Sequence, residues 1–187
     1  MSQTTFERAI KLAAVSGLKA ALGPALLAAS RNRPEAKMLA IAAMGEMVVD
    51  KLPYVPSRSS WPLLIPRAAS GAYVANELGK EDPSSDPWIA AVGAAVAVGV
   101  GTFAPIIRGT LTHVLGVPNA LVGVAEDYLA LKLGAEAVGM DMERIGAIAK
   151  EAVGDLGLPV DKLYDEVAEQ VRPILKSVGQ SVGAGSM

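Results

Sequence analysis

Long apolar blocks broken by single charges fill the first two-thirds of the chain, and a helical stripe set among charges follows. Segment A, residues 6–29, carries the run LAAVSGLKAALGPALLAA, interrupted by Lys19 and Pro24. The Gly23-Pro24 step predicts a kink or a helix that stops partway. Arg31, Arg33 and Pro34 form a basic connection. Segment B, residues 35–52, reads EAKMLAIAAMGEMVVDKL, and Pro53 and Pro56 end it. Its roughly 17 residues are the short limit for a membrane span. Segment C begins at Ser59 or Ser60 and runs to Leu78, with Trp61 placed for a membrane interface and Pro66 and Arg67 interrupting its first half. The polar loop GKEDPSSDP follows.

Segment D, residues 88–107, reads WIAAVGAAVAVGVGTFAPII without a charge, and is the best single span. Gly93, Gly99 and Gly101 among its alanines give the small-residue surface that lets membrane helices approach closely. Segment E, residues 119–133, reads NALVGVAEDYLALKL, with Asn119 as its N-cap. Beyond Gly134 the character changes. Residues 135–153 place Ile145, Ile148 and Ala149 on one side and Glu143, Arg144 and Lys150 toward water. Residues 159–178 repeat an apolar position every four residues at Leu163, Val167, Val171 and Leu175. The tail GQSVGAGSM is expected to be disordered.

These elements predict an all-α fold: a polytopic membrane helical bundle of about five segments, two of them broken or re-entrant. An inverted internal repeat and a C-terminal amphipathic helical hairpin in water complete it. The expected organisation is a membrane domain over 1–133, water-exposed helices over 134–178 and a tail over 179–187. An Ala- and Gly-rich soluble helical bundle is the alternative; segment D and the interfacial Trp61 and Trp88 argue against it.

Composition sharpens this reading. Hydrophobic residues make up 51% of the 187, charged residues 19% and aromatics 4%, and the mean hydropathy is +0.37. The net charge of −2, with no basic stripe interleaved with aromatics, excludes nucleic acid as a partner. The absence of cysteine removes disulfides and thiol catalysis, and a single histidine, His113, removes a multi-histidine metal site within one chain. His113 near a helix end reads as a surface or capping residue. Asp141, Glu143, Asp161 and Asp165 read as a solvated helix face without calcium-loop spacing. No phosphate loop, nucleophile elbow or dinucleotide fingerprint is present, so neither an enzyme nor a cofactor is expected. The first helix is read as retained rather than as a signal peptide. Basic connections fall on opposite sides of the predicted bundle, so the positive-inside count assigns no orientation.

The candidate chemistry lies in the apolar segments. Lys19, Glu46, Asp50, Arg108, Glu126 and Asp127 form a candidate intramembrane polar site of four acids and two bases. An ionisable group in hydrocarbon costs at least ~2.5–3.5 kcal/mol and must face a partner, a cavity or a pathway. Residues 18–22, LKAAL, compare with residues 107–111, IRGTL, and the acids downstream of each compare in turn. Copies separated by an odd number of spans have opposite orientation, so Lys19 is expected to face Glu126 or Asp127, and Arg108 to face Glu46 or Asp50.

The runs GLKAALGPALLA, GEMVVDKLP and GVPNALVGVAEDYLAL resemble those of a family of small, multi-span bacterial membrane proteins catalogued as a domain of unknown function. The resemblance covers about residues 16–133. The AED and VDKLP stretches are its most specific parts, and Lys19 stands where that pattern leads one to expect Arg. It implies an integral protein of the bacterial inner membrane and carries no activity with it.

Two functions are expected from this. One is a non-catalytic accessory or scaffold subunit, packed in the lipid bilayer against other membrane protein subunits or a second copy of itself. It calls for fully paired charges, no cavity and an extensive intermolecular interface. The other is a small cation- or proton-coupled transporter or channel-like protein with a carboxylate site at the repeat interface. It calls for a polar cavity and a carboxylate lacking a cation.

Overall fold

A computed structural model describes residues 4–49, 61–83, 85–155 and 157. Among them the chain is all-helical, with seven helices and no strand. They are α1 (Thr5–Leu18), α2 (Leu22–Ser30), α3 (Ala36–Val49), α4 (Trp61–Gly79), α5 (Ile89–His113), α6 (Asn119–Val138) and α7 (Met142–Asp155). The chain divides into two units, 1–149 and 150–187. Of the second unit only 150–155 and 157 are described. Asp50, Pro53, Pro56, the expected start of segment C at 59 or 60, the helix expected over 159–178 and the tail lie outside the described residues.

Segment A is two helices folded back on one another. A capping box starts α1: the Thr4 hydroxyl accepts the Glu7 N–H at 3.2 Å, and the Glu7 carboxylate accepts the Thr4 N–H at 3.2 Å. The helix stops at Leu18, and α2 starts at Leu22, so the break precedes Gly23-Pro24 instead of falling on it. Pro24 then occupies the first turn of α2, where its missing N–H has no helical acceptor to lose. Gly23 lets α2 lie against α1: a Cβ there would sit 3.1 Å from the Leu12 carbonyl oxygen. The far ends of the hairpin meet at one carboxylate, with Arg8 3.0 Å and Arg31 2.7 Å from Glu81.

The hairpin changes the direction of everything after it. Arg33 and Glu77 meet where α3 begins and α4 ends, so α3 runs away from that end and α4 returns to it. α5 leaves it again: Gly79 lies against Ile89, Gly71 against Gly93, and Gly17 against Ala97. A Cβ on Gly71 would stand 2.5 Å from the Gly93 carbonyl oxygen, so both backbones need glycine there. α1 and α5 therefore run parallel, whereas α3 and α6 run antiparallel. No single inversion relates the two copies, and the expected inverted repeat is corrected on this point. The second copy also lacks the break of the first: α5 continues unbroken through Pro105 and Arg108 to His113.

α6 passes through Gly134 to Val138. A Cβ on Gly134 would fall within 3.5 Å of a Val15 methyl and against Leu26, so this glycine serves close packing, and the helix continues. The stop comes at Gly139, with φ 68° and the Met140 N–H donating to the Ala135 carbonyl at 2.9 Å, a Schellman-type end.

Leu12, Val15, Val74 and Leu78 are fully buried at the centre among alanines, while the largest apolar side chains lie outside. Phe103 is 62% exposed, Tyr128 57% and Met38 75%. Among the described residues one helix, α5, is long and apolar enough to cross a membrane, and most of its surface lies outside the core.

Candidate functional site

The turn of the α1–α2 hairpin gathers the buried charge. Lys19 is extended, with φ −139° and ψ 110°, which leaves the Ala20 and Ala21 N–H groups without helical acceptors. Glu46 reaches across from α3 and supplies both: Ala20 N donates to Oε1 at 3.0 Å and Ala21 N to Oε2 at 3.1 Å. The carboxylate thus sits on the positive end of α2. Arg67 of α4 lies 3.4 Å from the same Glu46 Oε1, and the Ser70 hydroxyl donates to the Ala20 carbonyl at 2.6 Å. Lys19 Nζ is 3.0 Å from Asp127 Oδ1 of α6. Lys19 is 1% exposed and Arg67 4%, so both cations are committed to the interior.

A second group lies further along α5. Arg108 stands 3.5 Å from Glu126 and donates from Nε to Asn119 Oδ1 at 2.8 Å. Gly123 makes the room: a Cβ there would lie 2.9 Å from an Arg108 terminal nitrogen. Glu126 and Asp127 are consecutive, so the helical turn of about 100° aims them at different neighbours. Asp127 meets α1, and Glu126 meets α5.

Of the six residues singled out in the sequence, five are described. Lys19 takes Asp127, one of its two expected partners. Arg108 does not take Glu46: its acid is Glu126, of its own copy, and Glu46 belongs to Arg67. Arg67 is a third interior cation, read from sequence only as an interruption of segment C. His113 ends α5 in an exposed position, and Asp141 accepts the Arg144 N–H at 2.7 Å at the start of α7.

A scan against protein-family models, a search of curated proteins and a search of solved structures returned no match for this chain.

A charged layer closes the end of the bundle opposite the hairpin turn. Glu77 receives Arg31 at 2.7 Å, Arg33 at 2.8 Å and the Lys80 ammonium. Arg33 also donates to the Tyr73 hydroxyl at 3.1 Å, Arg8 Nε to the Ala137 carbonyl at 2.9 Å, and Lys11 pairs with Glu136 at 2.9 Å. In the turn after α4, burial acts to raise the Glu81 carboxyl, yet Arg31 and Arg8 together bring it below its ordinary value. Sequence reading passed over Glu77 and Glu81. Their signal was the basic Arg31/Arg33 connection, which needed acids at the same end.

The two layers are similarly spaced along α1, α2, α4 and α6. From 8 to 19, 21 to 31, 67 to 77 and 127 to 137 the separation is ten or eleven residues. At 1.5 Å per residue that is ~15–17 Å.

A cavity of about 210 Å³ lies beside the hairpin, between α2, α3, α6 and α7. Its walls, including Leu26, Met44, Met47, Leu131 and Ile145, are apolar. It is separate from the ion pairs at the turn.

Proposed function

We propose that the chain is a polytopic integral membrane protein in which α3 to α6 cross the bilayer and the α1–α2 hairpin re-enters from one side. Charges and small residues lie inside, and large apolar side chains lie outside, the distribution that hydrocarbon selects. The ~15–17 Å between the two polar layers is half of a ~30 Å hydrocarbon core. The turn of the hairpin then sits at mid-membrane and the Glu77/Glu81 layer at one surface.

Its role is that of a non-catalytic accessory or scaffold subunit. The observation that carries this is the pairing of the described carboxylates at the polar centre: Glu46 is held by two backbone N–H groups and Arg67, Asp127 by Lys19, and Glu126 by Arg108. The described carboxylates at the centre are spent on holding helices in register. The test is reconstitution into liposomes. Proton and monovalent cation flux is expected to equal that of empty vesicles.

A second reading, a small cation- or proton-coupled transporter, draws on one observation. An unwound backbone at mid-depth, with a helix N-terminus facing a carboxylate, is how discontinuous helices build transport sites. A flux carried by the wild-type protein and abolished by Glu46→Gln would establish this reading and remove the first.

A further inference from the structure

One face of α6 carries two polar tips where the membrane reading puts hydrocarbon. Ala125, Tyr128, Leu129 and Lys132 follow the i, i+3, i+4, i+7 spacing, and all four are exposed. The other side of the helix is occupied: Asp127 meets α1, and Gly134 lies against Val15 of α1 and Leu26 of α2.

The depth of the exposed face follows from its neighbours. Asp127 lies at the hairpin turn, and Ala137 lies in the charged layer, where its carbonyl accepts from Arg8. Lys132 is midway, ~7.5 Å from each at 1.5 Å per residue, and Tyr128 is level with the turn. Tyrosine belongs at the membrane–water boundary, yet Tyr128 is 57% exposed at mid-depth. A lysine near a helix end escapes hydrocarbon by snorkelling to the interface. Lys132 starts out the wrong way. Cα–Cβ bonds tilt toward the helix N-terminus, and the N-terminus of α6 points away from the charged layer. The carboxylate one turn on, Glu136, is engaged by Lys11 at 2.9 Å. Among the described residues neither the Lys132 ammonium nor the Tyr128 hydroxyl has an ion-pair or hydrogen-bond partner.

The chemistry of these two groups specifies their complement. An ammonium only donates, a phenol donates, and a carboxylate accepts from both. A second copy of this chain does not supply one. In a two-fold dimer about the membrane normal the face meets itself, which sets Lys132 against Lys132. The described carboxylates near this depth, Glu46, Glu126 and Asp127, are held inside the bundle.

We propose that the outer face of α6 docks a membrane-spanning helix of a different protein, whose carboxylate lies opposite Lys132 and Tyr128. This rests on the membrane reading above and names the partner of the accessory role by its chemistry: one acid in an otherwise apolar span. Ala125 leaves room for close approach, and Leu129 packs between the polar tips.

The test uses the full chain, first in carbonate-washed membranes and then in phosphatidylcholine proteoliposomes. The chain has no cysteine, so Leu129→Cys gives a single reporter on α6 and Phe103→Cys a single reporter on the outer face of α5. The probe is a synthetic leucine–alanine span with one glutamate ~7.5 Å from its centre and a cysteine one turn away. The same peptide with glutamine is the comparison. Disulfide cross-linking at 129 is expected to be several-fold higher for the glutamate peptide than for the glutamine peptide, and several-fold higher than at 103. In the Leu129→Cys background, Lys132→Met is expected to bring the glutamate peptide down to the glutamine level, and Lys132→Arg to keep the difference. Lys132 is exposed, so both variants leave the packing of α6 in place. Tyr128→Phe is expected to lower the glutamate signal in part, and no change there removes the hydroxyl from the site. Equal cross-linking by the two peptides, a difference that survives Lys132→Met, or equal cross-linking at 103 and 129 overturns the proposal while leaving the membrane reading intact. Release of the protein by carbonate overturns the membrane reading and this proposal with it.

Discussion

Lys19 and Asp127 meet 3.0 Å apart, and this one contact ties the turn of the α1–α2 hairpin to the middle of α6. Lys19 is 1% exposed, and the Asp127 side chain is mostly buried at 14%. Removing one partner of such a pair leaves an uncompensated charge, whereas replacing both by apolar groups of similar volume is close to neutral. Lys19→Met is therefore expected to lower unfolding stability by ~3–5 kcal/mol. The double variant Lys19→Met/Asp127→Leu is expected to recover most of that loss. Denaturant unfolding in mixed micelles reads both. Equal losses in the single and double variants would show that the pair does not hold the hairpin.

Glu46 does different work at the same turn. Its two oxygens satisfy Ala20 and Ala21, donors that no helix can serve. Glu46→Ala strands both and is expected to cost ~1–3 kcal/mol for each N–H left without an acceptor. Glu46→Gln keeps one acceptor oxygen and is expected to fall between the wild type and Ala. Amide hydrogen exchange at 20 and 21 is the direct measurement: protection should fall in the order wild type, Gln, Ala. Uniform exchange across the three would disconnect Glu46 from the turn.

The apolar blocks made the starts of α3, α4, α5 and α6 legible, though not every end. The reversal at 19–21 was not legible. It carries no glycine or asparagine of its own, and its acceptor, Glu46, lies 25 residues downstream of Ala21. Gly23-Pro24 drew the expected break three residues too late, since Pro24 is tolerated in a first turn. Counting segment A as a crossing then inverted the parity of all that follows, and the inverted repeat came from that count. Lys19 and Asp127 were visible as complementary charges in separate blocks. Arg67 was hidden beside Pro66, although Ser70, three residues on and facing the same turn, shares its side of α4. Gly134 looked like a boundary because sequence alone does not distinguish a glycine that ends a helix from one that lets another helix approach.

That distinction gives a paired prediction on α5. A Cβ on Gly93 would collide with the Gly71 carbonyl and the Ala75 methyl, whereas Gly99 has open space around its Cβ position. Gly93→Ala is expected to destabilise by ~1–3 kcal/mol through overpacking of the α4–α5 contact. Gly99→Ala is expected to be neutral or to gain up to ~1 kcal/mol from helix propensity. Thermal unfolding of the two variants side by side is decisive, and a loss in Gly99→Ala equal to that in Gly93→Ala would mean that α5 packs elsewhere.

Glu81 links the two ends of the hairpin, and its pH dependence has a definite sign. Arg31 and Arg8 hold its folded-state carboxyl below the ordinary value of 4.5, against the opposing pull of burial. A depressed folded-state value means that the unfolded chain binds the proton more readily. The contribution is therefore complete above the ordinary carboxylate range and is lost as pH falls through and below 4.5. Glu81→Gln is expected to lower the melting temperature at neutral pH and to converge on the wild type in acid. The shift should be modest, because Glu81 is partly exposed and solvent screens the pairing. Melting curves of both proteins across the acid range test this. A gap that widens as pH falls would show that Glu81 is held in its neutral form and does not join the hairpin ends as a charged pair.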